Sequence, residues 1–253
     1  MIQAQHNQRE YLVIQKLLRY DAFVLTLDVL ESLRGTGGHI VKSELNRIVE
    51  ILPVVEPVFS TVQKLKRKEW TIERAKNAVE FTRQTIAQHV SQTINGKYTR
   101  ILSMGLPTAL ENGLKGAANI EIRCIHPTLG GNEIEGFVER CQPFFDHTAG
   151  AIVHLAQCNN HVDWADAIFL DTFGASFSAF VREGTDMVTY LAYGRKPLFL
   201  LMAEGSQWTS DRDLYGSPIA PDNFQFLLTE NGVFQYDPSA YSLKKRWTFS
   251  KRE

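Results

Sequence analysis

The stretch VREGTDMVTYLAYGRKPLFLL, residues 181–201, sets Arg182, Gly184 and Thr185 at the start of a helix-like run that leads into the apolar LFLL. A helix start leaves backbone N–H groups without helical partners and carries the positive end of the helix dipole, so it attracts anions. Arg182 would add a fork of donors suited to phosphate. A plain helix start also accounts for these residues, with Gly184 supplying an unusual backbone angle and Thr185 a capping hydroxyl. Further along, HLAQCNNH places His154 and Cys158 four residues apart, a spacing that puts two metal ligands on one helix face. A full ligand set is missing, so no metal is expected. Asp163 and Asp166 in DWAD read either as an acid pair or as a loop entering a strand.

These residues need elements to hold them. Residues 9–33 carry apolar residues at helical spacing, Gly35 to Gly38 break the pattern, and Ser43 opens a second helix toward Leu52. Thr71 caps a long amphipathic run, IERAKNAVEFTRQTIAQHVSQTI. Residues 1–95 therefore read as a helical part, and the turn NGKY at 95–98 opens a different texture. From there strand and helix alternate: strands at 100–104, 120–125, 143–145, 167–170 and 197–202, and helices at 108–117, 132–141, 149–158 and 185–194. That order predicts an α/β fold over 96–253, a Rossmann-like parallel sheet with helices on both faces.

Ligands of such sheets bind beyond the carboxyl ends of the strands. Small and polar residues gather there: Ser103, Met104 and Gly105; His126, Pro127 and Thr128 with Gly130-Gly131; Asp146, His147 and Thr148; Asp171 and Thr172. The run EGSQWTSDRD, with Trp208, reads as a solvated loop after the last of these strands, or as a lid. Loops are polar in any case, so the pattern marks an edge rather than a chemistry. G-x-G-x-x-G, G-x-x-x-x-G-K-[ST] and G-x-S-x-G do not occur, which leaves no support for a dinucleotide fingerprint, a P-loop or a nucleophile elbow. No cofactor is expected.

The composition narrows the classes. The 253 residues are 44% hydrophobic, enough for a sizeable core, and the net charge of -1 from 27 basic and 28 acidic residues gives no pull toward nucleic acid or a membrane surface. The apolar runs are too short to span a bilayer, which takes about 20 residues. Three cysteines without a C-x-x-C pair, and an opening MIQAQHNQRE without an apolar run, lead us to expect a reduced, cytoplasmic setting.

Five stretches, in order, carry a family likeness. They are RILSMGLPTALENGLKGA, IEIRCIHPTLGG, FFDHTAGAIVHL, VDWADAIFLDTFGASFSAFVREGTDMVTYLAYGRKPLFLL and PDNFQFLLTENGVF. Over about residues 100–234 the chain resembles the alpha, beta and delta subunits of translation initiation factor 2B. The methylthioribose-1-phosphate and ribose-1,5-bisphosphate isomerases belong to the same family. The likeness lies in the first strand and helix, where members read like ILTHS or ILTHC, in the strand ending in E-S-R-P-x-x-x-G, in D-[SN]-x-A, in V-x-x-G-A-D-x-I … N-K-x-G-T and in I-x-T-E-x-G. The R-G-A-P-A-I-G motif of the methylthioribose-phosphate enzymes is missing from the helical part.

The resemblance implies a phosphorylated ligand at Gly184-Thr185, with Arg182 in place of the family's lysine and Ser103, Gly105 and His126 lining the site. It also implies departures. Gly105 stands where the isomerases carry a cysteine, His126 where the family has the arginine of E-S-R-P, and Cys124 where it has the glutamate. The isomerase aspartate falls on Asp166, with Cys124 as a substitute partner. No lysine matches the family's after the last strand, near Ser206. Aldose–ketose isomerisation needs an acid and a base beside adjacent carbons. The expectation is thus a non-catalytic, homodimeric regulatory or assembly subunit that binds a sugar phosphate or nucleotide. The alternatives are an isomerase with a rearranged site and a scaffold without ligand.

Overall fold

The computed structural model describes residues 21–34, 45–46, 55–115, 117–126, 131–175, 179–182, 184–203, 217–220, 223–235 and 250–251. The glycine break at 35–38, the Ser43 cap, Pro127, Thr128, Gly130 and the Trp208 loop lie outside them.

Among the described residues three helices come first: α1 (Ala22–Arg34), α2 (Glu56–Lys66) and α3 (Ile72–Ile94). Asp21, read as mid-helix in the 9–33 run, is instead the residue that caps α1, its Oδ1 accepting from Phe23 N and Val24 N at 3.1 Å each. Thr71 caps α3 as its type predicts, accepting from Arg74 N at 3.2 Å. Leu25, Leu30, Val58, Val62 and Ala75 close a core between the three helices. The far half of α3 turns Ile86, Val90 and Ile94 into the core of the sheet.

The α/β part follows: β1 (Arg100–Met104), α4 (Thr108–Leu114), β2 (Glu121–Ile125), α5 (Gly131–Phe145), β3 (Ala149–Val153), α6 (Cys158–Trp164), β4 (Ala167–Asp171), β5 (Gly174–Ala175), β6 (Ala179–Val181), α7 (Thr185–Ala192), β7 (Leu198–Leu201), β8 (Ser217–Ile219), β9 (Phe226–Thr229), β10 (Gly232–Gln235) and β11 (Ser250–Lys251). The large sheet runs β11-β10-β9-β7-β4-β1-β2-β3, parallel from β3 through β9, and β5, β6 and β8 form a small antiparallel sheet. α3, α4 and α5 cover one face of the large sheet, while α6 and α7 cover the other. The parallel strands have the order 3-2-1-4-7-9, and connections leave β1 in one direction and β4 in the other. The order reverses between β1 and β4, the point at which sheets of this kind place their ligands.

Two expected elements change type. PFF at 143–145 is the end of α5, which continues through Pro143, and residues 149–153 form β3 rather than a helix. AGAIV opens on alanine and glycine, which are depleted in strands, and carries only Ile152 and Val153 as strand formers. Parallel pairing with β2 decides it. Gly150 is needed there, because a Cβ would lie 2.4 Å from the Phe145 ring. His154 and Cys158 consequently share no helix face. His154 precedes the short turn Leu155–Gln157, and Cys158 begins α6.

Candidate functional site

The carboxyl edge at the β1/β4 crossing gathers four of the expected residues. Gly105 turns the chain out of β1 at φ +69°, and a Cβ there would sit 3.5 Å from Arg182 Nε. Thr185 N donates to Arg182 O at 3.1 Å. Gly184 has φ +82°, and a Cβ on it would lie 2.6 Å from Leu155 Cδ2 and 3.4 Å from Met104 Cε. Glycine is therefore required on two counts, left-handed backbone and close packing. Gly184 supplies the backbone angle expected of it and also takes the capping position, while Thr185, buried, is the first helical residue rather than the cap.

Arg182 is buried and already engaged. Its Nε and Nη2 donate to Asp171 Oδ1 and Oδ2 at 3.0 and 2.9 Å, with Phe173's ring 5.4 Å from the guanidinium. Burial pushes the Asp171 carboxyl above its ordinary range, while Arg182 pulls it back down. Asp21 from α1 adds a like charge nearby, and its Oδ2 accepts from both Thr108 N and Thr108 Oγ1 at 2.6 Å. The first helix is thus tied to the sheet edge by one buried carboxylate. The space between Asp21, Asp171, Pro107 and Met202 amounts to about 10 Å³, no more than a water's worth.

Ser103 and Cys124 lie deeper. They are register partners inside β1 and β2, both fully buried, and Ser103 Oγ has no hydrogen-bond partner among the described residues. Burial, with Cys141 close by, pushes the Cys124 thiol well up. His126 follows β2, donates its N–H to Val153 O at 3.1 Å, and sets its ring edge-on to Phe137 at 5.0 Å between centroids.

Asp166 is elsewhere. It precedes β4 at the amino edge of the sheet, where its Oδ2 accepts from Thr99 N, Thr99 Oγ1 and Arg100 N at 3.2, 2.9 and 2.9 Å. Its Oδ1 accepts from Arg100 Nε and Nη2 at 3.1 and 2.7 Å. The Arg100 guanidinium holds the Asp166 carboxyl far below the usual carboxylate range. Asp163 pairs with Arg195 instead of with Asp166. Asp166 and Cys124 do not meet, and DWAD is not an acid pair. Asp171, one strand length from Asp166, is the carboxylate the fold delivers to the crossing. Its place at the end of AIFLD was readable. Asp21, 87 residues from Thr108, gave no sign beyond its type.

No described group of three or more His, Cys, Asp or Glu residues is arranged to hold a metal ion, and no described helix is long and apolar enough to cross a membrane.

No known family model matches the sequence, and no curated protein does. Solved structures do match in shape. The translation initiation factor eIF-2B of Pyrococcus horikoshii OT3 superposes with a TM-score of 0.64 at 11% identity, over 90% of this chain and 96% of that one. A chain of the tetrameric eIF2B-beta2-delta2 complex of C. thermophilum gives 0.65 at 13%, over 92% and 91%. The 5-methylthioribose 1-phosphate isomerase of P. horikoshii OT3 gives 0.65 at 11%, over 96% and 87%. The fold is the one these subunits and this isomerase share, as the five sequence stretches implied.

Proposed function

We propose that this chain is a non-catalytic subunit of the initiation factor 2B kind. It associates with copies of itself or with related subunits and holds a phosphorylated sugar or nucleotide at the β1/β4 edge. The observation that carries the reading is the separation of the expected acid–base partners. Asp166 is locked at the opposite edge by Arg100, and Cys124 is a buried core thiol pushed up by desolvation. A proton shuttle between neighbouring carbons needs two groups on one substrate. Arg182 beside the start of α7 supplies the cation and helix end that suit a phosphate, with Asp171 orienting the guanidinium.

The test is melting of the full chain against sugar phosphates, nucleotides and their unphosphorylated counterparts, with NMR of each mixture for turnover and light scattering for mass. The expected result is a multimer stabilised by a phosphorylated compound that it leaves unchanged. Arg182→Lys, which keeps the charge and loses the fork, should lose the shift. A monomer without phosphate-dependent stabilisation would refute the proposal.

One observation favours a second reading, an aldose–ketose isomerase with a rearranged site. Asp171 stands at the crossing with its carboxyl raised toward the range where a general base works. Interconversion of a sugar phosphate that Asp171→Asn abolishes would establish this reading over the first.

A further inference from the structure

A larger cleft, of about 180 Å³, lies between the helical layer and the ends of β7 and β9 and adjoins the small space at the β1/β4 crossing, with which it shares Phe23, Pro57 and Ala203. One face of α2 brings Ser60 and Lys64 to it, and α3 brings Val79 and Thr82. Phe23 from α1 adds to its apolar wall, and Glu230 stands on the turn after β9. The two charged groups are held by separate means. The Lys64 ammonium rests 4.0 Å from the centre of the Trp70 ring. Glu230 follows Thr229, whose carbonyl meets His89 Nδ1 at 2.8 Å and whose Oγ1 accepts from Asn231 N at 3.0 Å, so α3 and the turn fix that corner.

We propose that this cleft binds a small zwitterion, a free α-amino acid with a short side chain. The Lys64 ammonium and the Thr82 hydroxyl receive the carboxylate, and Ser60 Oγ turns to it from its long 3.5 Å bond to Pro57 O. Glu230 accepts from the ammonium, since a carboxylate accepts several hydrogen bonds at once. Phe23 and Val79 take the side chain. A closed cavity of about 150 Å³ admits a benzene-sized molecule, so this cleft suits about six to eight non-hydrogen atoms, the range from alanine to valine and threonine. The negative charge of a sugar phosphate would meet Glu230. One carboxylate is too few for a metal.

The test is calorimetric titration of the full chain with L-alanine, L-valine, L-threonine and L-phenylalanine, alongside isobutyrate and isobutylamine. The expected result is binding of at least one of the three short amino acids, at least tenfold weaker binding of phenylalanine, and none of either half-molecule. Lys64→Met and Glu230→Gln, both at half-buried positions, should each weaken it at least tenfold while circular dichroism stays unchanged. Isobutyrate binding as well as valine, isobutylamine doing so, wild-type affinity in both variants, or no heat with any amino acid would each overturn the proposal. No phosphate ligand enters this experiment, and its failure would leave the phosphate test at Arg182 standing.

Discussion

Removing the Arg182 side chain with Arg182→Met tests the ion pair at the crossing. The Arg182 and Asp171 side chains are 4% and 8% exposed, and two hydrogen bonds near 3 Å join them. The variant strands a carboxylate in the interior, and breaking a buried pair this way costs about 3–5 kcal/mol. For a chain of this size that lowers the melting temperature by about 6–20 °C. The carboxylate can escape the penalty by taking a proton, and burial already raises it. A carboxyl raised on folding binds more protons in the folded state. Its contribution is therefore fully present below the unfolded value of about 3.9 and is lost as pH rises through the folded value. The deficit of Arg182→Met should be full at pH 7.5 and should shrink as pH falls toward 4.5. Urea unfolding across that range reads it. Asp171→Leu combined with Arg182→Met removes both charges and should recover most of the loss, because apolar replacement of a buried pair is often neutral. A single variant within about 1 kcal/mol of wild type at pH 7.5 would refute the reasoning. An equal loss in the double variant would do the same.

Other expectations are separable from this one. Gly184→Ala should destabilise the chain by at least about 1–2 kcal/mol from its left-handed backbone alone, with the Leu155 contact adding to it, measured by urea unfolding. Asp21→Ala removes a cap worth about 1 kcal/mol and leaves the buried Thr108 N–H unsatisfied, a further cost of about 1–3 kcal/mol. Hydrogen exchange should then accelerate across α1. Asp166→Asn should lower stability at neutral pH and leave any phosphate-ligand shift untouched. Because the Asp166 carboxyl is depressed on folding, the difference should vanish as pH falls below the ordinary carboxylate range, which acid titration of both proteins checks. Cys124 and Cys141 should resist alkylation at pH 8 until the chain unfolds, since burial pushes the Cys141 thiol up to about 12 and the Cys124 thiol well up.

Where local pattern and tertiary context agree, the sequence was readable. RILSM, IEIRCI and AIFL alternate with helices and became β1, β2 and β4 almost residue for residue. AGAIVHLAQC was misread because alanine and glycine carry no strand preference and the neighbouring β2 imposes one. The helix expected at 132–141 and the strand expected at 143–145 form one helix, because α5 passes through Pro143. At the site, type and position relative to a strand end picked out Gly105, Arg182, Gly184 and Thr185. The depth and direction of side chains were not readable. Cys124 faces the core rather than the edge, and five residues along one strand separate Asp166 from Asp171, the whole width of the sheet. Asp21 is tied to its partner only by folding, so nothing local could announce it.

The long helix α3 has a consequence for dissecting the chain. Ala75 belongs to the core of the helical part, whereas Ile86, Val90 and Ile94 belong to the core of the sheet. A fragment beginning at residue 96 would take with it none of those three side chains and would leave an apolar trough across α4. Such a fragment would aggregate or stay molten rather than report on an autonomous sheet. The two layers should melt in one transition, and a fragment meant to fold alone has to begin before Thr71.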